Sequence, residues 1–212
     1  NDEPSPTRSA VMIRLLHSHI RIGSFQRCAY FGDEQAMEPL ARHVVTYHYS
    51  EINPDQDAET LYLALMSEMT ARVADMVGAW MTAGFLHGVM NTDNFNLTGE
   101  TFDFGPWRFI PYCDPAFTAA YFDQQSRYAY GRQPEAALWA LCRLADCFLY
   151  AVKQDALQDV LATFYPKMEE ALADRLIWRL GLKKVSVEQA GRFANQFFQA
   201  AKASHYGWDA LF

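Results

Sequence analysis

Between Ala58 and Thr82 apolar residues recur every three to four positions: Leu61, Leu65, Met69, Val73, Met76, Val77 and Trp80. That period places them on one face of a single long helix, and Gly84 ends it. A helix of this length with so much apolar surface must be largely buried, so the rest of the chain has to wrap around it. With 212 residues, half of them hydrophobic and 15% aromatic, the chain can supply one core of that size. The helix runs straight into His87–Gly105, HGVMNTDNFNLTGETFDFG, which is the densest cluster of chemistry-bearing residues in the sequence.

The remaining segments read mainly as helix. Val11–Leu16 (VMIRLL) is apolar and β-compatible, and is expected to form a strand running to about Ile22, with Gly23 turning the chain. A helix is predicted from Asp33, which can cap it, with Met37, Leu40, Ala41, Val44 and Val45 at helical spacing and Pro39 in or near its first turn. Phe95–Leu97 and Thr101–Phe102 flank Thr98-Gly99-Glu100, the pattern of a small hairpin that turns Asp103 back toward Asn94. Trp107–Asp123 reads as irregular and aromatic. Helices are predicted from Pro134 to about Tyr150, near Asp155–Phe164 and near Pro166–Leu180. A last one opens on the capping box Ser186-Val-Glu-Gln189 and runs to about Ala203. The fold class is therefore α+β, mainly helical, with a small hairpin carrying the functional loop.

Bulk properties narrow the function. Lys and Arg number 18 against 25 acidic residues, and a net charge of −7 disfavours nucleic acid as a partner. No apolar run reaches the length of a membrane span, and no signal-peptide pattern opens the chain. The opening NDEPSPTRSA reads as a linker or a cut edge. Cys28, Cys113, Cys142 and Cys147 have no CxxC spacing, which argues against zinc, and they read as reduced, mostly buried thiols of a cytosol-like compartment. The glycosylation pattern at Asn96-Leu97-Thr98 is taken as chance.

Within His87–Gly105 the spacing resembles the catalytic half of kinase-like phosphotransferases. There an Asn and an Asp hold metal ions against nucleotide phosphates, and another Asp takes the proton of the attacking hydroxyl. Counted from His87, the kinase base position holds Val89, whereas the metal-type asparagine position does hold Asn94. Asp103 opens Asp-Phe-Gly, and a carboxylate reappears at Asp93, next to Asn94. Asn94 and Asp103 are thus candidate ligands for Mg²⁺ or Mn²⁺, which keep several waters and need few protein oxygens. Asp93 is the candidate proton acceptor. His87 reads as a structural brace of the loop. From the residues alone, Arg14 and Arg21 are either surface charges or phosphate clamps. His17, His19, His43 and His48 have no convincing metal partner.

Taken together, GFLHGVMNTDN (84–94) and FDFGP (102–106) resemble the signature loop of the selenoprotein O family of kinase-like protein adenylyltransferases. The likeness extends through SHIRIGSF (18–25), AYFGD (29–33), HYSE (48–51), YCDPAF (112–117) and SRYAYGRQP (126–134). The resemblance implies a kinase-like carboxy-terminal lobe and ATP as co-substrate. It also implies transfer of AMP to protein Ser, Thr or Tyr hydroxyls, with pyrophosphate leaving. Onto this chain it carries Asp93 as proton acceptor, Asn94 and Asp103 as metal ligands, and Arg14 and Arg21 as phosphate contacts, with Asp103 also facing the nucleotide. The implied compartment is the bacterial cytoplasm, or the mitochondrion in a eukaryote.

The chain also departs from the family pattern. Ser126 replaces the usual Gly, Gly131-Arg132 replaces a residue plus Asn, and Ala119 stands where many members have a cysteine, so the family's redox bridge is not carried over. No glycine-rich loop appears in residues 1–13. The expectation is a single lobe over 1–212, of which 1–32 joins an amino-terminal lobe and 33–212 is helical, and which is inactive by itself. Two rivals remain. One is a non-catalytic pseudokinase-type scaffold or truncated paralogue that has lost ATP. The other is a conventional phosphotransferase, against which Val89 argues.

Overall fold

The structure is a computed structural model that describes residues 11 and 13–212. Its described residues form seven α-helices: α1 (Ile22–Phe31), α2 (Glu34–His48), α3 (Ala58–Ala83), α4 (Gln133–Cys147), α5 (Gln154–Ala162), α6 (Phe164–Arg179) and α7 (Val187–Ser204). Two short strands, β1 (Phe85–Leu86) and β2 (Arg108–Phe109), make an antiparallel pair in the register Phe85↔Phe109 and Leu86↔Arg108. The chain is mainly helical with one small sheet. Among the described residues no helix is long and apolar enough to cross a membrane.

The long helix α3 is the axis of the core. Asp57 caps it by accepting from the Thr60 N–H at 2.9 Å. Leu61, Leu65, Met69, Val73 and Val77 are fully buried, as the periodicity predicts. Met76 and Trp80 of the same stripe are only half-buried, while a second face adds Tyr62, Met66, Thr70 and Ala74. The helix is therefore enclosed on two sides, and its main neighbour is α6. The two approach closely at Gly78, where a Cβ would lie 2.9 Å from the Leu172 backbone nitrogen and 3.0 Å from the Met168 carbonyl oxygen. At the far end Gly84 takes φ 69, a left-handed cap that releases the chain into β1. The Trp208 indole covers that glycine so closely that a Cβ would fall 2.4 Å from it.

The local signals for other helices hold. The Asp33 side chain caps α2, Pro134 lies in the first turn of α4, and the Ser186–Gln189 capping box is formed in both directions at α7. Pro39 lies inside α2 rather than in its first turn, and the helix continues through it to His48. All four cysteines are unpaired, with Cys113 and Cys147 buried.

The expected strand from Val11 to Ile22 is not formed. Met12 lies outside the described residues; Val11, Ile13 and Leu15 are 96%, 85% and 89% exposed in irregular chain. Among the described residues the segment pairs its backbone with the hairpin's backbone only at its end, where Leu97 donates to the Ile20 carbonyl (2.8 Å) and Ile22 to the Phe95 carbonyl (3.0 Å). One bridge cannot sustain a strand. Beyond it Ile22 and Phe25 are both fully buried at helical spacing, so α1 forms and Gly23 lies inside it instead of turning the chain. Trp107–Asp123 is likewise not wholly irregular, because β2 pairs with β1 and packs Phe85, Trp107 and Phe109 together, Phe85 stacked on Trp107 and Phe109 edge-on to both.

Candidate active site

The site begins where α3 ends. β1 leads into the loop from His87, a 3-10 turn at Thr92–Asn94 follows, and the chain then folds back through the hairpin to Asp103. The hairpin closes through one bridge, Phe95↔Thr101, with Asn96 donating to the Glu100 carbonyl at 2.8 Å. At its tip Gly99 takes φ 79, and a Cβ there would strike the Arg72 side chain. Tyr49 supports the hairpin from behind: its hydroxyl donates to the Leu97 carbonyl, and the Arg72 guanidinium lies 3.9 Å over its ring. Burial pushes the Tyr49 phenol's pKa up, so it stays a donor.

His87 locks the two halves of the loop to each other. It is fully buried, accepts from the Val89 N–H at Nδ1 (3.3 Å) and donates from Nε2 to the Phe102 carbonyl (3.1 Å). Those two partners require the neutral tautomer protonated on Nε2. Burial outweighs the opposing pull of the Phe102 carbonyl and Asp103, and holds the imidazole down at about 4. A second brace, which the sequence reading missed, is Gln133 at the start of α4. Fully buried, it accepts from the His87 N–H (3.0 Å) and donates to the Phe85 carbonyl (2.9 Å). A polar residue beside a helix-starting proline is an ordinary sequence signal, so nothing local marked it.

The His87 shift makes a pH prediction. Between about 4 and the ordinary 6.5 the unfolded chain binds a proton there that the folded chain refuses, so His87 favours the folded state less and less as pH falls through that window. Folding stability is expected to lose on the order of 3 kcal/mol from this group between pH 7 and pH 4. In melting curves, His87→Gln should start less stable at pH 7 and fall less steeply on acidification. An identical pH slope in both proteins would show that His87 is not the buried neutral brace.

Asn94 is 3% exposed and fixed on one side only. Its Nδ2 donates to the Val89 carbonyl at 2.9 Å, leaving Oδ1 with no donor among the described residues. Phe102 N–H donates to the Asn94 carbonyl (3.3 Å), which brings the start of Asp-Phe-Gly against Asn94. Asp103 is exposed and takes φ 60, a left-handed conformation that is strained for any residue but glycine. Its two neighbours carry the arginines. The Arg21 guanidinium sits 5.3 Å over the Phe102 ring, and that of Arg14 sits 4.0 Å over Phe104. Both arginines thus converge on the segment around Asp103, although the chain between them is not a strand. Partial burial draws the Arg14 pKa down from its ordinary value, against the pull of Glu100. Glu100 also anchors the incoming chain, accepting from His17 at its backbone N–H (3.2 Å) and at Nδ1 (3.1 Å).

Asp93 is exposed on the outer side of the 3-10 turn, whose start is pinned by the Asn91 side chain accepting from the Asp93 N–H (3.0 Å). Val89, at the kinase base position, serves only through its backbone, bonding His87 and Asn94. Among the described residues no three His, Cys, Asp or Glu side chains converge as a metal cage. One amide oxygen and one carboxylate suit a hard cation that takes its other ligands from water and phosphate, so the residues fit Mg²⁺ or Mn²⁺.

A family model described as protein adenylyltransferase SelO matches residues 1–212. The chain belongs to the SelO family. Among its SelO-family relatives is the protein nucleotidyltransferase YdiU of Trichormus variabilis, 37% identical over 211 residues, covering all of this chain and 43% of the relative. The protein of the same name from Synechocystis is 42% identical over 163 residues, covering 77% of this chain and 34% of the relative. That from Rhodopseudomonas palustris is 40% identical over 200 residues, covering 92% and 40%. This SelO-family chain thus spans under half the length of these curated relatives. The relatives are named protein nucleotidyltransferases, and the family model carries the name of a protein adenylyltransferase.

Proposed function

We propose that this chain is the kinase-like catalytic lobe of a protein adenylyltransferase, which moves AMP from ATP to a Ser, Thr or Tyr hydroxyl and releases pyrophosphate. The observation that carries the reading is the placement of charge. An exposed carboxylate, Asp93, adjoins the buried Asn94, and two arginines are seated on the phenylalanines either side of Asp103. Asp93 takes the proton of the attacking hydroxyl as its oxygen forms a bond to the α-phosphorus. The bond from that phosphorus to the bridging oxygen breaks, and the electrons leave with pyrophosphate. Arg14 and Arg21 hold the β- and γ-phosphates and balance the charge that grows on them. Asn94 Oδ1 and the Asp103 carboxylate hold Mg²⁺ or Mn²⁺, which when bound supplies further positive charge against the phosphate oxygens. His87 and Gln133 keep the loop in place and take no part in proton transfer.

The test is label transfer in the full-length enzyme, using ATP marked at either the α- or the γ-phosphate. Protein label is expected from the α-mark alone, with the mass gain of adenylate. Label from the γ-mark would make this a conventional phosphotransferase, and label from neither would favour a scaffold that has lost the reaction.

A further inference from the structure

We infer that Gly23 is a positioning residue for the transfer reaction, keeping open the space into which the Asp93 carboxylate folds. The observation is a contact across two segments that are far apart in sequence. A Cβ built on Gly23 would lie 2.1 Å from Asp93 Oδ1 and 3.2 Å from its Cγ, so the carboxylate already occupies the volume of the missing side chain. Gly23 is the second residue of α1 and is not among the residues with positive φ. Nothing in the backbone therefore calls for glycine, and alanine would suit a helix better. The requirement is one of room. The first turn of α1 is itself fixed, since Ile22 N–H donates to the Phe95 carbonyl at 3.0 Å and Ile22 is fully buried. Asp93 is held on its own side by the Asn91 turn. Two anchored backbones thus face each other, with only the exposed carboxylate free to move.

A methyl group at position 23 would accordingly leave the fold alone and turn the Asp93 carboxylate away. The inference rests on the assignment of Asp93 as proton acceptor, and the experiment separates the two. In the full-length enzyme, the rate of α-label transfer at saturating ATP, the KM for ATP and the melting temperature are measured. The proteins compared are wild type, Gly23→Ala, Asp93→Ala and the double variant. Gly23→Ala is expected to lower the saturated rate about 100-fold, as a misplaced catalytic group does. Its KM for ATP should stay within about threefold, because Arg14, Arg21, Asn94 and Asp103 are untouched. Its melting temperature should be unchanged or slightly raised. In the Asp93→Ala background the same change should cost less than about twofold, since the displaced carboxylate is already gone.

A wild-type rate for Gly23→Ala beside a slow Asp93→Ala would overturn the positioning role and leave the proton acceptor standing. So would losses that multiply in the double variant, or a collapse of melting temperature in Gly23→Ala. A wild-type rate for Asp93→Ala would remove both ideas together.

Discussion

Asp93→Ala in the full-length enzyme is expected to slow label transfer by roughly two to four orders of magnitude, the usual contribution of a positioned base. The side chain makes this a clean removal. It is exposed, its backbone N–H is held by Asn91, and its carboxylate lies against Gly23 with no hydrogen-bond partner among the described residues, so truncation leaves no buried group without a partner. Binding of ATP should be little changed, because Arg14 and Arg21, the proposed phosphate contacts, sit on other segments. The loss should therefore appear in the saturated rate and not in KM. Asp93→Asn should be as slow as alanine, since the amide cannot accept the proton. A rate within threefold of wild type for either variant would mean that the hydroxyl proton leaves by another route.

The second large effect concerns Asp103. Asp103→Asn keeps the size of the side chain and tolerates the left-handed backbone, since Asn and Asp are the residues other than glycine that do so most readily. The protein should fold with an unchanged melting temperature. What it lacks is the negative charge of the proposed metal-binding carboxylate, and the Oδ1 of Asn94 is neutral. Affinity for Mg·ATP, measured by titration calorimetry, is expected to fall by about 100-fold or more, and nucleotide binding should no longer respond to the divalent ion. Unchanged, metal-dependent affinity in Asp103→Asn would place the ion elsewhere.

Much of this architecture could be read without coordinates, for reasons particular to each element. The helix from Ala58 carries its period through most of its 26 residues, so a few misplaced positions, such as the half-buried Met76 and Trp80, do not matter. Asp33, Pro134 and Ser186 announce helix starts through bonds made within one turn. Val11–Leu16 misled because an apolar run has strand character only if a partner edge exists, and here the partner offers one bridge. β2 was invisible for the converse reason: two residues become a strand solely because Phe85 and Leu86 lie alongside.

In the site, the loop residues were legible as a spacing pattern from His87 to Asp103. What holds that pattern in shape was not. Gln133 and Tyr49 act from 46 and 48 residues away in sequence, through a buried amide and a buried phenol, and Gly23 acts through an absent side chain. None of these has a local signature. The arginines illustrate the middle case: their seats on Phe102 and Phe104 need no strand, only rings presented on either side of one aspartate.

The left-handed backbone at Asp103 has a consequence for anyone evolving this protein in the laboratory. Glycine at that position would relax the main chain by about 1 kcal/mol while deleting the carboxylate. A selection for expression yield or heat resistance, blind to catalysis, would therefore drift toward Asp103→Gly and enrich well-behaved clones that lack the proposed metal ligand. Survivors at this codon would report which pressure had been applied.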